Sequence, residues 1–87
     1  MREEEGGHAL ETAESGAENA LLRLLRNPVY GGETMTTDNG FAYITVADLG
    51  SGKTITSRGV TGEYSRSVEV RVSIANGVIT ITSWKEL

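Results

Sequence analysis

A chain of 87 residues with 38% hydrophobic content has room for one small domain with one core. It holds no cysteine, which excludes disulfide staples and thiol chemistry. A net charge of −4, with a pI near 4.9, argues against nucleic acid and anionic membrane surfaces as partners. The acid is unevenly placed. Residues 1–26 carry six Glu against three Arg, whereas residues 27–87 carry six acids and five bases. No apolar run is long enough for a membrane span or a signal peptide.

Taken in chain order, residues 1–8 (MREEEGGH) are polar and glycine-containing, and are expected to fray or to be an added tail. A single domain is expected over residues 9–87. Its first element is a helix over 9–27, because Leu10, Ala13, Ala17, Ala20, Leu21 and Leu24 recur on one stripe. Leu22 and Leu25 widen the stripe late in the helix. Glu11, Glu14 and Glu18 lie early, Arg23 and Arg26 late, the order that suits the helix dipole. Asn27-Pro28 ends the helix, since a residue before proline is pushed out of the α region. With Ser15 and Gly16, the small residues Ala9, Ala13, Ala17 and Ala20 leave one side thin enough for another backbone to approach.

After Gly31 the apolar period changes to two, which predicts a sheet over 33–85. The strands are Glu33–Thr37, Phe41–Ala47, Lys53–Val60, Tyr64–Ala75 and Val78–Trp84. Asn39-Gly40 and Asn76-Gly77 are type I′ hairpin signals. Val68, Val70, Val72 and Ile74 face one way on the longest strand; Ser67, Glu69, Arg71 and Ser73 face the other. Ile79 and Ile81 alternate against Thr80 and Thr82 on the last. Such short turns permit only antiparallel neighbours. The expected fold is therefore α+β: one N-terminal helix packed on an antiparallel β-meander of about four to five strands.

Three features invite a chemical reading. Ala47-Asp48-Leu49-Gly50-Ser51-Gly52-Lys53-Thr54 matches a relaxed phosphate-loop pattern, but a phosphate loop needs a helix after it. Thr54-Ile55-Thr56-Ser57 is β-branched and reads as strand, so a hairpin is expected. His8, the single histidine, has no second ligand or nucleophile near it, and a solvated side chain is expected. Neither a catalytic set nor a cofactor or metal site is expected. Glu69 and Arg71 share the wet face of the long strand. They read first as a solvated pair, and second, with Trp84, as a contact patch for a neighbouring subunit. The small-residue face of the helix has a double reading as well: Ala13, Ala17 and Ala20, with Leu21 and Leu24, pack on the sheet or form a seam against other helices.

The stretches AESGAENALLRLLRNP, GGETMTTDNGFAYITV and ITSRGVTGEYSRSVEVRVSI, in this order, resemble the globular part of type IV pilin-like proteins, minor pilins and pseudopilins among them. The resemblance covers roughly residues 10–84. It implies a structural subunit of a type IV pilus-like or type II secretion-like filament, in the cell envelope or outside it, with no catalysis. It further implies partners of the same kind, bundled through an upstream apolar helix that anchors the subunit in the membrane before assembly. That helix is absent here, and the simplest expectation is a fragment whose first residues were added for expression. The isolated domain is expected to be a monomer, with neither nucleic acid nor a small-molecule substrate as partner. The competing reading is a stand-alone β-rich binding module for a protein or glycan.

Overall fold

The computed structural model describes the backbone of residues 2–87 and the side chains from His8 onward. Of the stretch expected to fray, residues 1–8, the backbone from Arg2 onward is helical. His8 is the one residue of that stretch whose side chain is described, and it is half-buried rather than loose in solvent. Helix α1 runs Arg2–Arg26 and is followed by strands β1 (Gly32–Thr37), β2 (Gly40–Leu49), β3 (Gly52–Thr61), β4 (Tyr64–Ala75) and β5 (Val78–Glu86). The strands form one antiparallel sheet in the order β1-β2-β3-β4-β5. The α+β class and the helix-on-meander architecture are as the sequence predicts.

The helix stops where Pro28 requires. The Asn27 N–H still donates to the Arg23 carbonyl at 2.8 Å, and the Asn27 carbonyl accepts from Tyr30 N–H at 3.0 Å across a turn with Pro28 at its second position. The Asn27 side-chain oxygen accepts from Val29 N–H at 3.2 Å. These bonds turn the chain from helix into β1.

Helix α1 crosses β2, β3 and β4 and lies closest over β3; it touches β1 only marginally and gives β5 no appreciable cover. The core between the layers consists of Ala9, Ala13, Ala17, Ala20 and Leu24 from the helix, facing Ala42, Ile44, Ile55, Val68, Val70 and Val72. Small residues set its thickness. A Cβ on Gly59 would stand 2.2 Å from the Ala9 carbonyl oxygen and 2.5 Å from the Ala13 nitrogen. A Cβ on Gly16 would stand 2.4 Å from Ser57 Oγ and 2.8 Å from the Ala42 methyl. The backbone approach that the thin helix side allows is thus made by the chain's own third strand.

Ser57 lies at this closest approach, fully buried, and its Oγ has no hydrogen-bond partner. A buried hydroxyl without a partner loses its hydration and gains nothing in return. Ser57→Ala should therefore leave stability unchanged or raise it by about 1 kcal/mol. Urea denaturation checks this; a loss of that size would mean that the hydroxyl bonds the helix backbone.

Of the two Asn-Gly hairpins, one turns as expected and one does not. Asn76 and Gly77 both have positive φ (54° and 77°), as a type I′ turn requires. Asn39 does not, so the first hairpin turns on Asp38-Asn39 in another geometry. There the Thr37 hydroxyl accepts from the N–H groups of Asn39 (3.3 Å) and Gly40 (3.1 Å) and donates to the Gly40 carbonyl (3.2 Å). A local side-chain bond of this kind competes with the intrinsic preference of Asn-Gly.

The last strand carries a bulge. Val72 pairs with Ile81 but Arg71 pairs with Ser83, so Thr82 is supernumerary, and its hydroxyl donates to the Arg71 carbonyl at 3.1 Å. Strict alternation would put Trp84 on the face of Thr80 and Thr82. The inserted residue instead brings it beside Val70, on the helix side of the sheet. Ile79 reaches the core, while Ile81, opposite Val72, stays 48% exposed because the helix does not extend over β5.

Candidate functional site

The helix residues expected to pack or assemble all face the chain's own sheet. Ala13, Ala17 and Ala20 are fully buried, Leu24 is 2% exposed, and Leu21 is partly buried against the same cluster. This small-residue seam is therefore occupied within the molecule. The opposite side of the helix is wet and carries Glu11, Ser15, Glu18, Leu22, Leu25 and Arg26. Leu22 and Leu25 are 60% and 58% exposed, one turn apart, just before the exposed Val29. The helix thus has two apolar sides near its C-terminal end, one used and one free.

Glu69 and Arg71 lie together on the outer sheet face, as expected. Arg71 Nε is 3.4 Å and Lys85 Nζ 3.6 Å from Glu69 Oε1, so one carboxylate lies between two exposed cations. Lys85 joins them because it is the cross-strand partner of Glu69. These are ion pairs on a solvated face, each worth tenths of a kcal/mol. Trp84 does not join them. The bulge places it on the other side of the sheet, so the three residues do not form one patch.

The phosphate-loop look-alike is a hairpin. Asp48 and Lys53 are register partners across the Gly50-Ser51 turn, and the Lys53 ammonium pairs with the Asp48 carboxylate. Strand β3 follows where a phosphate loop would have a helix N-terminus. Among the described residues no group of three or more His, Cys, Asp or Glu side chains is placed to hold a metal ion. Among the described residues no helix is long and apolar enough to cross a membrane.

The most organised polar constellation is one that the sequence gives no reason to expect. Glu33 Oε2, on β1, accepts from Asn19 Nδ2 at 2.7 Å and from the Tyr30 hydroxyl at 2.8 Å, with Arg23 Nε at 3.4 Å. Asn19 and Arg23 are one helical turn apart on α1, so the helix, the connecting loop and the first strand meet on one carboxylate. The hydrogen bonds from Tyr30 and Asn19, with the charge of Arg23, hold the Glu33 pKa below its ordinary value. Burial first, and then the bond to Glu33 and its charge, push the Tyr30 hydroxyl up to about 12. The group is a clasp for an edge strand that the helix otherwise barely touches.

The sign of its pH dependence follows. A depressed carboxylate pKa contributes stability that is present above the unfolded value of about 4.3 and is lost as pH falls through the folded value. A raised tyrosine pKa contributes stability that is complete below about 10 and is lost as pH rises through about 12. Glu33→Gln should therefore flatten part of the acid limb of a stability–pH curve and cost about 1–2 kcal/mol at neutral pH. Chemical denaturation across the acid range gives both numbers. An unchanged acid limb would show that the clasp is not populated in solution.

No family model matches the chain, and no curated protein or solved structure matches it either.

Proposed function

We propose that this chain is the globular part of a pilin-like structural subunit, built into a type IV pilus-like or type II secretion-like filament and without catalytic activity of its own. The observation that carries the reading is the two-sided helix. A subunit that assembles through its helix needs one helical face for its own sheet and another for its neighbours. Here Ala9, Ala13, Ala17, Ala20 and Leu24 serve the sheet, and Leu22 and Leu25 stand free on the other side. The order of the resembling segments supports the same reading.

Assembly contacts fall in this proposal on Leu22 and Leu25 rather than on the buried alanines. Covering each leucine contributes about 1 kcal/mol per contact, a useful sum only when repeated along a polymer. The partners are other subunits of the same class. The subunit is held in the membrane by an upstream apolar helix until it joins the filament, and its place is then the cell envelope or the extracellular filament.

The test is made in the native host with the complete gene, carrying an epitope tag in the exposed Gly62-Glu63 turn. The tag is expected in the sheared surface-filament or envelope fraction. Leu22→Glu with Leu25→Glu should remove it from filaments while the melting temperature of the 87-residue chain stays the same. A tag found wholly in the cytosol, or filaments indifferent to both substitutions, would overturn the proposal.

A further inference from the structure

The outer sheet face carries a second apolar feature, at the end away from the helix C-terminus. Phe41 and Tyr43 on β2 are 45% and 42% exposed; their ring centroids are 6.4 Å apart with planes inclined by 28°. The Arg58 guanidinium, across the register from Tyr43, lies 5.5 Å from the Tyr43 ring centroid. Among the described residues Arg58 has no carboxylate partner, while Arg71 and Lys85 on the same face share Glu69. Hydroxyls flank the rings: Thr34 and Thr36 are the partners of Tyr43 and Phe41 on β1, and Ser67 is the partner of Arg58 on β4.

We propose that this platform binds an acidic saccharide of the uronic-acid type. The C–H face of a pyranose ring is flat and weakly positive, and sits well on the negative face of an aromatic ring. The ring carboxylate would be taken by Arg58, whose planar fork suits bidentate pairing and which, among the described residues, has no carboxylate of its own. The sugar hydroxyls would meet Thr34, Thr36 and Ser67. Nucleic acid fits poorly, because on this sheet face, among the described residues, Arg58 is the one cation without a carboxylate partner, and on a chain of net charge −4 it cannot neutralise a run of phosphates. An apolar peptide fits poorly too, because it would leave the guanidinium of Arg58, beside Tyr43 on β3, without a carboxylate and would cover the Thr34 and Thr36 hydroxyls on β1. This inference stands independently of filament assembly, which uses the opposite layer of the molecule.

The probe is trigalacturonic acid, titrated into the isotope-labelled 87-residue chain and followed by amide and side-chain NMR shifts, with neutral maltotriose alongside. Saturable shifts are expected at Phe41, Tyr43 and Arg58, with the acidic sugar binding about tenfold more tightly than the neutral one. Arg58→Gln should abolish that difference, Arg58→Lys should keep part of it, and Phe41→Ser should weaken both sugars alike. Both substituted positions are exposed, so the fold is retained. The absence of saturable shifts at millimolar sugar, equal binding of the two sugars, or a response of the same residues to protein concentration alone would overturn the proposal, the last by making a second copy the occupant.

Discussion

Gly59→Ala should destabilise the protein by about 3 kcal/mol or more, one of the largest effects of any single added methyl group. The new Cβ would meet backbone, at 2.2 Å from the Ala9 carbonyl oxygen and 2.5 Å from the Ala13 nitrogen. Neither atom belongs to a flexible side chain, so relief requires the helix to lift off β3. Lifting it opens the whole seam, because Ala13, Ala17 and Ala20 have no longer side chains with which to follow. For a domain of this size the melting temperature should fall by about 15 °C. Gly16→Ala is the informative control. Its Cβ would meet the Ser57 hydroxyl and the Ala42 methyl, and the gain in helix propensity, about 1 kcal/mol, offsets part of the clash. Its cost should be clearly smaller. Equal melting temperatures for wild type and Gly59→Ala would show that helix and sheet are farther apart than described.

Leu24→Ala should cost about 3 kcal/mol or more. Leu24 is the largest fully buried side chain of the helix; every other fully buried apolar residue there is alanine. The seam therefore relies on closeness for most of its length and on one anchor near its end. Removing that anchor leaves a cavity against a sheet that cannot collapse inward, since the helix backbone already meets the β3 backbone at Gly59, and at Gly16 it meets the Ser57 and Ala42 side chains. Leu22→Ala and Leu25→Ala, on the free side, should each change stability by no more than about 0.5 kcal/mol. Parallel thermal and urea melts of the three variants separate the faces. Similar losses for Leu24→Ala and Leu22→Ala would mean that the helix is rotated relative to the described packing.

What the sequence made legible was local. The stripe through Ala13, Ala17, Ala20 and Leu24 and the alternation of Val68, Val70 and Val72 are periodic within one element, so they identify the buried side directly. The Lys53 hairpin was readable because Thr54-Ile55-Thr56 is β-branched. What escaped depends on pairs of elements. The bulge at Thr82 reversed the side on which Trp84 stands, and a one-residue insertion leaves no mark in composition. The Glu33 clasp joins residues on three elements, with Asn19 and Glu33 fourteen positions apart. Nothing in either segment alone marks them as partners. The alanine seam was legible as a close-contact surface but not as to its occupant, and the occupant is β3.

The thinness of that seam also bears on the order in which the molecule is made. The helix precedes the sheet in the chain, yet the strands it covers most fully, β3 and β4, are complete only at Ala75. During synthesis the helix must wait for roughly fifty residues without its cover, a delay of several seconds at ordinary elongation rates. A stripe of leucines would spend that interval as a sticky surface open to aggregation. Alanines offer little to stick to, and become a core only when the meander, each strand pairing with the one just made, has assembled the surface against which they fit.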